Sequence, residues 1–245
     1  MNKRDEEIWR NISASVKLQD LIGFFQNPSP FQKELSNLIE LIFTNYTNSS
    51  NPNSIEVGSA FGITSALLPD KFTKAILDFD SEALDKAKTF FEVMEQPVKI
   101  FHMDFFDLNN KLSDRFDLVF NAGVLEHFNK AERRTIIKNM ASITRDKGYI
   151  IVGIPNHSSL PYRISYLLRI LFNKWPYPKE YSIKRLEKEI SDFNNLDFVG
   201  IKCFDKESIF FYLPKLLKKF FITMDGFLFF ESYLKVYIFQ KNDRV

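Results

Sequence analysis

The stretch Ser54-Ile-Glu-Val-Gly58-Ser-Ala-Phe-Gly62-Ile-Thr-Ser-Ala-Leu-Leu68 decides how the chain is read. Ile55 and Val57 mark a short apolar strand, Gly58 to Gly62 a turn of small residues, and Ile63, Ala66 and Leu67 the start of a helix. A strand that turns tightly into a helix leaves free backbone N–H groups at the turn, and these suit an electron-rich or anionic ligand. Gly58 and Gly62 let the backbone approach such a ligand closely. Glu56 stands just before the first glycine, near the strand's carboxyl end, where α/β folds bind ligands.

Similar units follow. Lys74 to Phe79 reads as a strand, and Asp80-Ser81-Glu82-Ala83-Leu84 opens a helix with Asp80 or Ser81 as N-cap. Asp78 lies about 20 residues beyond the glycine turn, where a carboxylate can accept both hydroxyls of a ribose; a solvated surface acid is the alternative. A third strand, Val98 to Met103, ends in Asp104-Phe105-Phe106, where Asp104 also reads as a helix N-cap. Arg115 to Asn121 is a nearly continuous apolar strand of the buried parallel type, followed by Ala122-Gly123-Val124-Leu125-Glu126-His127-Phe128. A helix over Lys130 to Thr144 leads through Asp146-Lys147-Gly148 into a buried strand, Tyr149 to Asn156. This alternation predicts βαβ units, a parallel sheet and right-handed crossovers. Glu56, Asp78, Asp104, Asn121 and Asn156 then share the carboxyl edge of that sheet.

The spacing Gly58-x-Ala60-x-Gly62 does not fit the Gly-x-Gly-x-x-Gly turn of nicotinamide and flavin folds. It resembles the Glu/Asp-x-Gly-x-Gly-x-Gly motif of class I S-adenosylmethionine-dependent methyltransferases, with Ala60 in place of the middle glycine. Asp78-Phe79 is similar to the family's second motif. Val124-Leu125-Glu126-His127 is similar to the fourth motif of its small-molecule and quinone-type members. The resemblance implies a doubly wound, mostly parallel seven-stranded sheet with an antiparallel last strand, and S-adenosylmethionine as cofactor. It implies that Glu56, Gly58, Ser59, Ala60, Gly62 and Asn121 surround that cofactor, with Asp78 on the ribose. Phe79 and Phe105 would flank the adenine ring, and Asp104 would meet its amine. A positive φ at Ala60 would cost about 1 kcal/mol or more, whereas a negative φ makes alanine harmless.

Residues 1–50 form an expected N-terminal helical segment and 51–245 the cofactor-binding domain. The N-terminal stripe of Ile8, Trp9, Ile12, Val16, Leu21 and Ile22 resumes after Pro30 with Phe31, Leu35, Leu38, Ile39 and Ile42. Such a segment covers the substrate side in many relatives, or packs as a helical pair on the sheet edge. Thr44 to Asn53 is a polar connection. A helical cap insert is expected at about 157–194. Leu160, Ile164, Leu167, Leu168 and Leu171 make one apolar helix face there, Trp175-Pro176-Tyr177-Pro178 breaks it, and Tyr181 to Phe193 resumes a helix. Tyr162, Trp175, Tyr177 and Tyr181 are the candidate substrate residues; a dimer face or core is the other reading of these aromatics. Glu180 is the only acid over 159–185, against Arg163, Arg169, Lys174, Lys179, Lys184 and Arg185, a balance that suits peripheral membrane contact or a solvated face. Leu196 to Phe204 is the sixth strand, Leu213 to Phe220 a helix, and Glu231 to Gln240 the last, antiparallel strand.

Bulk properties narrow the function. The chain of 245 residues carries a net charge of +2, too small an excess to point to nucleic acid. A single cysteine, Cys203, a charged start without an apolar signal core, and no uncharged run of spanning length give a cytoplasmic expectation. Methyl transfer from a sulfonium demands mainly alignment, and a hydroxyl or amine acceptor must also lose a proton. His127 and His157 each follow a strand's carboxyl end and are the candidate bases, with a structural hydrogen bond as the alternative; His102 lies within a strand. Three scattered histidines and one distant cysteine show no metal-ligand spacing. The Asn-Pro-Pro-Tyr-like tetrad of base-directed enzymes does not follow Asn121. The expected activity is methyl transfer to an O or N atom of a small metabolite, lipophilic or a glycan precursor. A weakly active or non-catalytic regulatory partner of the same fold, and a homodimer, stay open.

Overall fold

A computed structural model describes residues 3–45, 50–113, 115–205, 208, 213–228 and 232–242. The middle of the polar connection, 46–49, and Glu231 lie outside them. Seven strands among the described residues are β1 (Asn53–Val57), β2 (Thr73–Asp78), β3 (Val98–His102), β4 (Phe116–Ala122), β5 (Thr144–Pro155), β6 (Leu196–Phe204) and β7 (Leu234–Lys241). They form one sheet in the order β3-β2-β1-β4-β5-β7-β6, and β7 alone runs antiparallel to its neighbours. The expected doubly wound sheet with an antiparallel last strand is the observed one.

Three helices precede the sheet: α1 (Lys3–Ser15), α2 (Leu18–Gln26) and α3 (Pro30–Asn45). The connecting helices are α4 (Ile63–Ala66), α5 (Ser81–Val93), α6 (Leu108–Lys111) and α7 (Lys130–Ile143). After β5 come α8 (Leu160–Leu171), α9 (Leu186–Glu189) and α10 (Lys215–Leu228). Register puts Glu56 beside Ile76 and Phe120, so these share one face of the sheet. There Leu35, Ile39 and Ile42 of α3 pack on Phe120 and Ile151, while Phe90 and Phe91 of α5 pack on Ile76. On the opposite face Ile136, Ile137 and Met140 of α7 pack on Val119 and Ile150. Each fully buried aliphatic side chain of this kind contributes about 1.5–3 kcal/mol of transfer free energy. Strands covered on both faces have no polar alternation, which is why β4 and β5 read as apolar runs.

One expectation after β5 changes, the helix resuming at Tyr181. On α8 itself, Leu160, Leu167 and Leu171 of the apolar stripe are exposed, and the helix buries Tyr162, Ser165 and Tyr166. The reason is polar: the Tyr162 hydroxyl donates to the Glu180 carboxylate at 2.7 Å, and the Tyr166 hydroxyl accepts from the Glu180 N–H at 3.0 Å. The same anchoring keeps 181–185 out of a helix. Tyr181 N–H donates to the Glu126 carbonyl at 2.6 Å and Ile183 N–H to His157 Nδ1 at 3.2 Å, so only Leu186–Glu189 coils.

Candidate functional site

The glycine turn alternates left-handed residues: Gly58 at φ 71, Ala60 at φ 47 and Gly62 at φ 69. A Cβ at Gly58 would lie 2.9 Å from Val124, and one at Gly62 would lie 2.8 Å from Ile76, so packing as well as φ excludes larger residues. Ala60 therefore adopts the costly of its two conformations. The Leu77 carbonyl accepts from both Gly58 N–H and Ser59 N–H, at 2.8 and 3.1 Å, and joins the turn to the end of β2. Asp78 completes the joint, accepting from Ala60 N–H at 2.7 Å and from Asp80 N–H at 3.0 Å. Burial pushes the Asp78 carboxyl upward, and these backbone donors oppose the shift. Glu56 lies beneath the turn with Ser65 N–H donating at 2.9 Å, and burial raises it to about 7.

This turn forms one wall of a cavity of about 290 Å³. Asp78, Phe79, Phe105, Val124 and His127 continue that wall. Trp9, Ser13, Phe24, Phe31 and Gln32 of the N-terminal helices close the other side. An adenosyl group fits the first wall chemically: a Cβ-free approach at Gly58, a carboxylate oxygen at Asp78, and two phenylalanine rings. Arg10 stacks over Phe79 at 5.6 Å, and Lys86 Nζ donates to the Ser13 carbonyl at 2.7 Å, so α1 is tied directly to the cofactor wall.

Comparison with known proteins agrees with this geometry. Residues 55–148 match a family described as a methyltransferase domain. Over those residues the chain is similar to methyltransferase domains. No curated protein matches it significantly by sequence. Its fold is similar to that of magnesium protoporphyrin IX methyltransferase from Synechocystis with bound SAH, at 14% identity over 98% of this chain and 96% of that one, TM-score 0.61. An S-adenosylmethionine-dependent methyltransferase from Clostridium acetobutylicum shares 13% identity over 89% and 94%, TM-score 0.59. The N-methyltransferase NodS from Bradyrhizobium japonicum shares 15% over 89% and 99%, TM-score 0.56.

Within the matched region, the residues singled out by sequence separate into two groups. Glu56, Gly58, Ser59, Ala60, Asp78, Phe79, Phe105 and His127 line the cavity. Gly62 stands behind the wall as the left-handed N-cap of α4. Asp104 caps a short 3-10 turn, accepting from Phe106 N–H at 2.9 Å, and does not line the cavity. Asn121 is fully buried, with its amide nitrogen 3.7 Å from the Met140 sulfur and its oxygen unpartnered among the described residues.

The two histidines differ sharply. His157 is committed at both ring nitrogens: Nδ1 accepts from Ile183 N–H, so Nε2 carries the proton and donates to Glu180 at 3.1 Å. It lies outside the cavity lining and serves the buried network of Tyr162 and Glu180. His127 faces the cavity, edge-on to Trp9 with ring centroids 5.2 Å apart. Its Nδ1 lies 3.4 Å from the Lys179 carbonyl oxygen, which can only accept; a proton on Nδ1 leaves the Nε2 lone pair free. Burial lowers its pKa, keeping the ring neutral near pH 7. Glu126, beside it with Oε1 4.0 Å from Nε2, is raised to about 8 by burial and holds its proton at neutral pH.

Tyr162, Trp175, Tyr177 and Tyr181 are not part of the cavity lining, which corrects the expected substrate wall. Tyr162 is turned inward by Glu180, and Tyr177 reaches the site only through its ring contact with Trp9 at 5.9 Å. The aromatic wall comes instead from α1 to α3. The sequence put Trp9 in a helical segment that covers the substrate side or packs on the sheet edge, without singling it out as a site residue.

Proposed function

We propose that the domain transfers a methyl group from S-adenosylmethionine to an O or N atom of a small, largely apolar acceptor. The observation that carries this reading is the juxtaposition, in one cavity, of the glycine turn with Asp78 and an aromatic wall from a different part of the chain, with His127 where they meet. Bound S-adenosylmethionine supplies an electrophilic methyl group on a sulfonium. Asp78 would hold the ribose hydroxyls, and Phe79 and Phe105 the adenine faces. Trp9, Phe24 and Phe31 would seat the acceptor and exclude water, and Gln32 would orient its polar end. His127 Nε2 would take the acceptor's proton, its ring fixed by Lys179 and Trp9. The acceptor reading as a small metabolite also suits a glycan precursor with an apolar aglycone.

The test is calorimetric titration with S-adenosylmethionine, followed by a tritium-methyl transfer screen over fractionated metabolite pools. Binding with label appearing in a low-mass, organic-extractable product supports the reading. Label only in protein or nucleic acid overturns the acceptor class. Binding with no transfer in any pool favours the regulatory alternative.

A further inference from the structure

Helix α8 packs through Ile164 against Leu213, just before α10, and Leu217 and Phe221 of α10, and among the described residues this cluster takes in no more of the α8 stripe. Leu167, Ile170, Leu171 and Phe172 stay exposed on and just after α8, with Leu171 at 75%. Leu216, Phe220 and Ile222 stay exposed on α10, with Leu216 at 86%. Around them stand Lys174, Lys215, Lys218 and Lys219, all exposed. The charge is segregated. Residues 159–185 and 215–228 hold nine Lys or Arg and two acids, Glu180 and Asp225, whereas the rest of the chain holds 24 and 29. Glu180 is buried and offsets nothing at the surface.

We propose that this face docks on an anionic lipid surface, with the leucines and phenylalanines entering the headgroup boundary and the lysines meeting lipid phosphates. Exposed apolar residues mixed with cations on amphipathic helices are what interfacial binding requires. Charge decides between the two obvious occupants. A two-fold dimer would bring the same patch against itself and oppose its four exposed lysines, Lys174, Lys215, Lys218 and Lys219, to four more. An anionic bilayer neutralises them, each lysine near the surface raising partitioning about fivefold. No helix among the described residues is long and apolar enough to cross a membrane, so the contact is peripheral. The inference does not depend on the acceptor's identity. It places α8, the helix that comes next after β5, against the membrane.

The experiment is sedimentation of the full chain with phosphatidylcholine vesicles, with and without phosphatidylglycerol, at low and physiological salt. Binding should need the anionic lipid and weaken with salt. Leu171→Glu and Leu216→Glu should each reduce partitioning by about tenfold or more, and the triple change Lys215→Gln, Lys218→Gln, Lys219→Gln by about a hundredfold. S-adenosylmethionine titration of each variant serves as the folding control. Absence of binding to anionic vesicles, or equal binding by the wild-type chain and all variants, overturns the proposal. So does a micromolar dimer, seen by light scattering, that Leu171→Glu dissociates; the patch would then belong to a second copy.

Discussion

The backbone N–H of Ala60 donates to the Asp78 carboxylate at 2.7 Å, joining the only non-glycine left-handed residue of the turn to the acid at the end of β2. The residue expected to bind ribose thus also sets the shape of the turn that would hold the rest of the cofactor.

Ala60→Gly relieves the left-handed strain and leaves the N–H in place. The expected gain is about 0.5–1 kcal/mol after the extra chain entropy of glycine is subtracted. For a chain of this size that is a rise of about 1–4 °C in melting temperature. A fall in melting temperature would mean the Cβ makes contacts worth more than the strain.

Asp78→Ala should weaken S-adenosylmethionine by about tenfold or more, since charge-assisted hydrogen bonds to a buried acceptor are lost. It should also destabilise the free protein by about 1–3 kcal/mol, because Ala60 N–H and Asp80 N–H lose their acceptor. A cofactor analogue lacking a ribose hydroxyl separates the two effects. If the ribose contact is real, the analogue and the mutation are non-additive; full additivity in calorimetry removes it.

His127→Ala should lower turnover by about 10²-fold with cofactor affinity little changed. A base works with its ring neutral, and burial holds this ring neutral to a lower pH than usual. The wild-type pH–rate profile should therefore fall only on the acidic side, and the variant should lose that limb. Retention of the limb in His127→Ala would assign the proton to another group.

Glu126 and Glu56 govern stability against pH. A carboxyl raised in the folded chain keeps its proton where the unfolded chain has released it. Its stabilising contribution is full below the ordinary value of 4.5 and is lost as pH rises towards about 8 for Glu126 and about 7 for Glu56. Denaturant midpoints should fall across that window, and Glu126→Gln, a neutral isostere, should flatten the fall. A slope identical in the variant would sink the assignment to Glu126.

The fold was legible because the strands carry it locally: Leu118 to Phe120 and Ile150 to Ile154 are apolar without alternation, which only a sheet covered on both faces explains. The cofactor wall was legible because a turn, an acid and an aromatic residue recur at fixed places after successive strands. The acceptor wall was legible only as a segment: the N-terminal stripe could cover the substrate side, but no local spacing told which of its residues, Trp9 and Phe31, would reach the cavity with Phe24 by tertiary packing. The orientation of α8 was left open, because a hydrophobic stripe serves a core and an interface equally; hydroxyl bonds from Tyr162 and to Tyr166 with a distant Glu180 decide it. His157 was the second candidate base, and Ile183 and Glu180 claim both its nitrogens.

Strand order has a consequence for how the molecule is made. β7 lies between β5 and β6, yet it is synthesised after both. During translation the edge of β5 from Tyr149 to Pro155 therefore waits without its partner, and β6 has no neighbour at all. Neither ladder of β7 can form until this last strand has been made. Until then an apolar edge is open to other nascent chains, and the interval between β6 and β7 is where this protein is most exposed to misassembly.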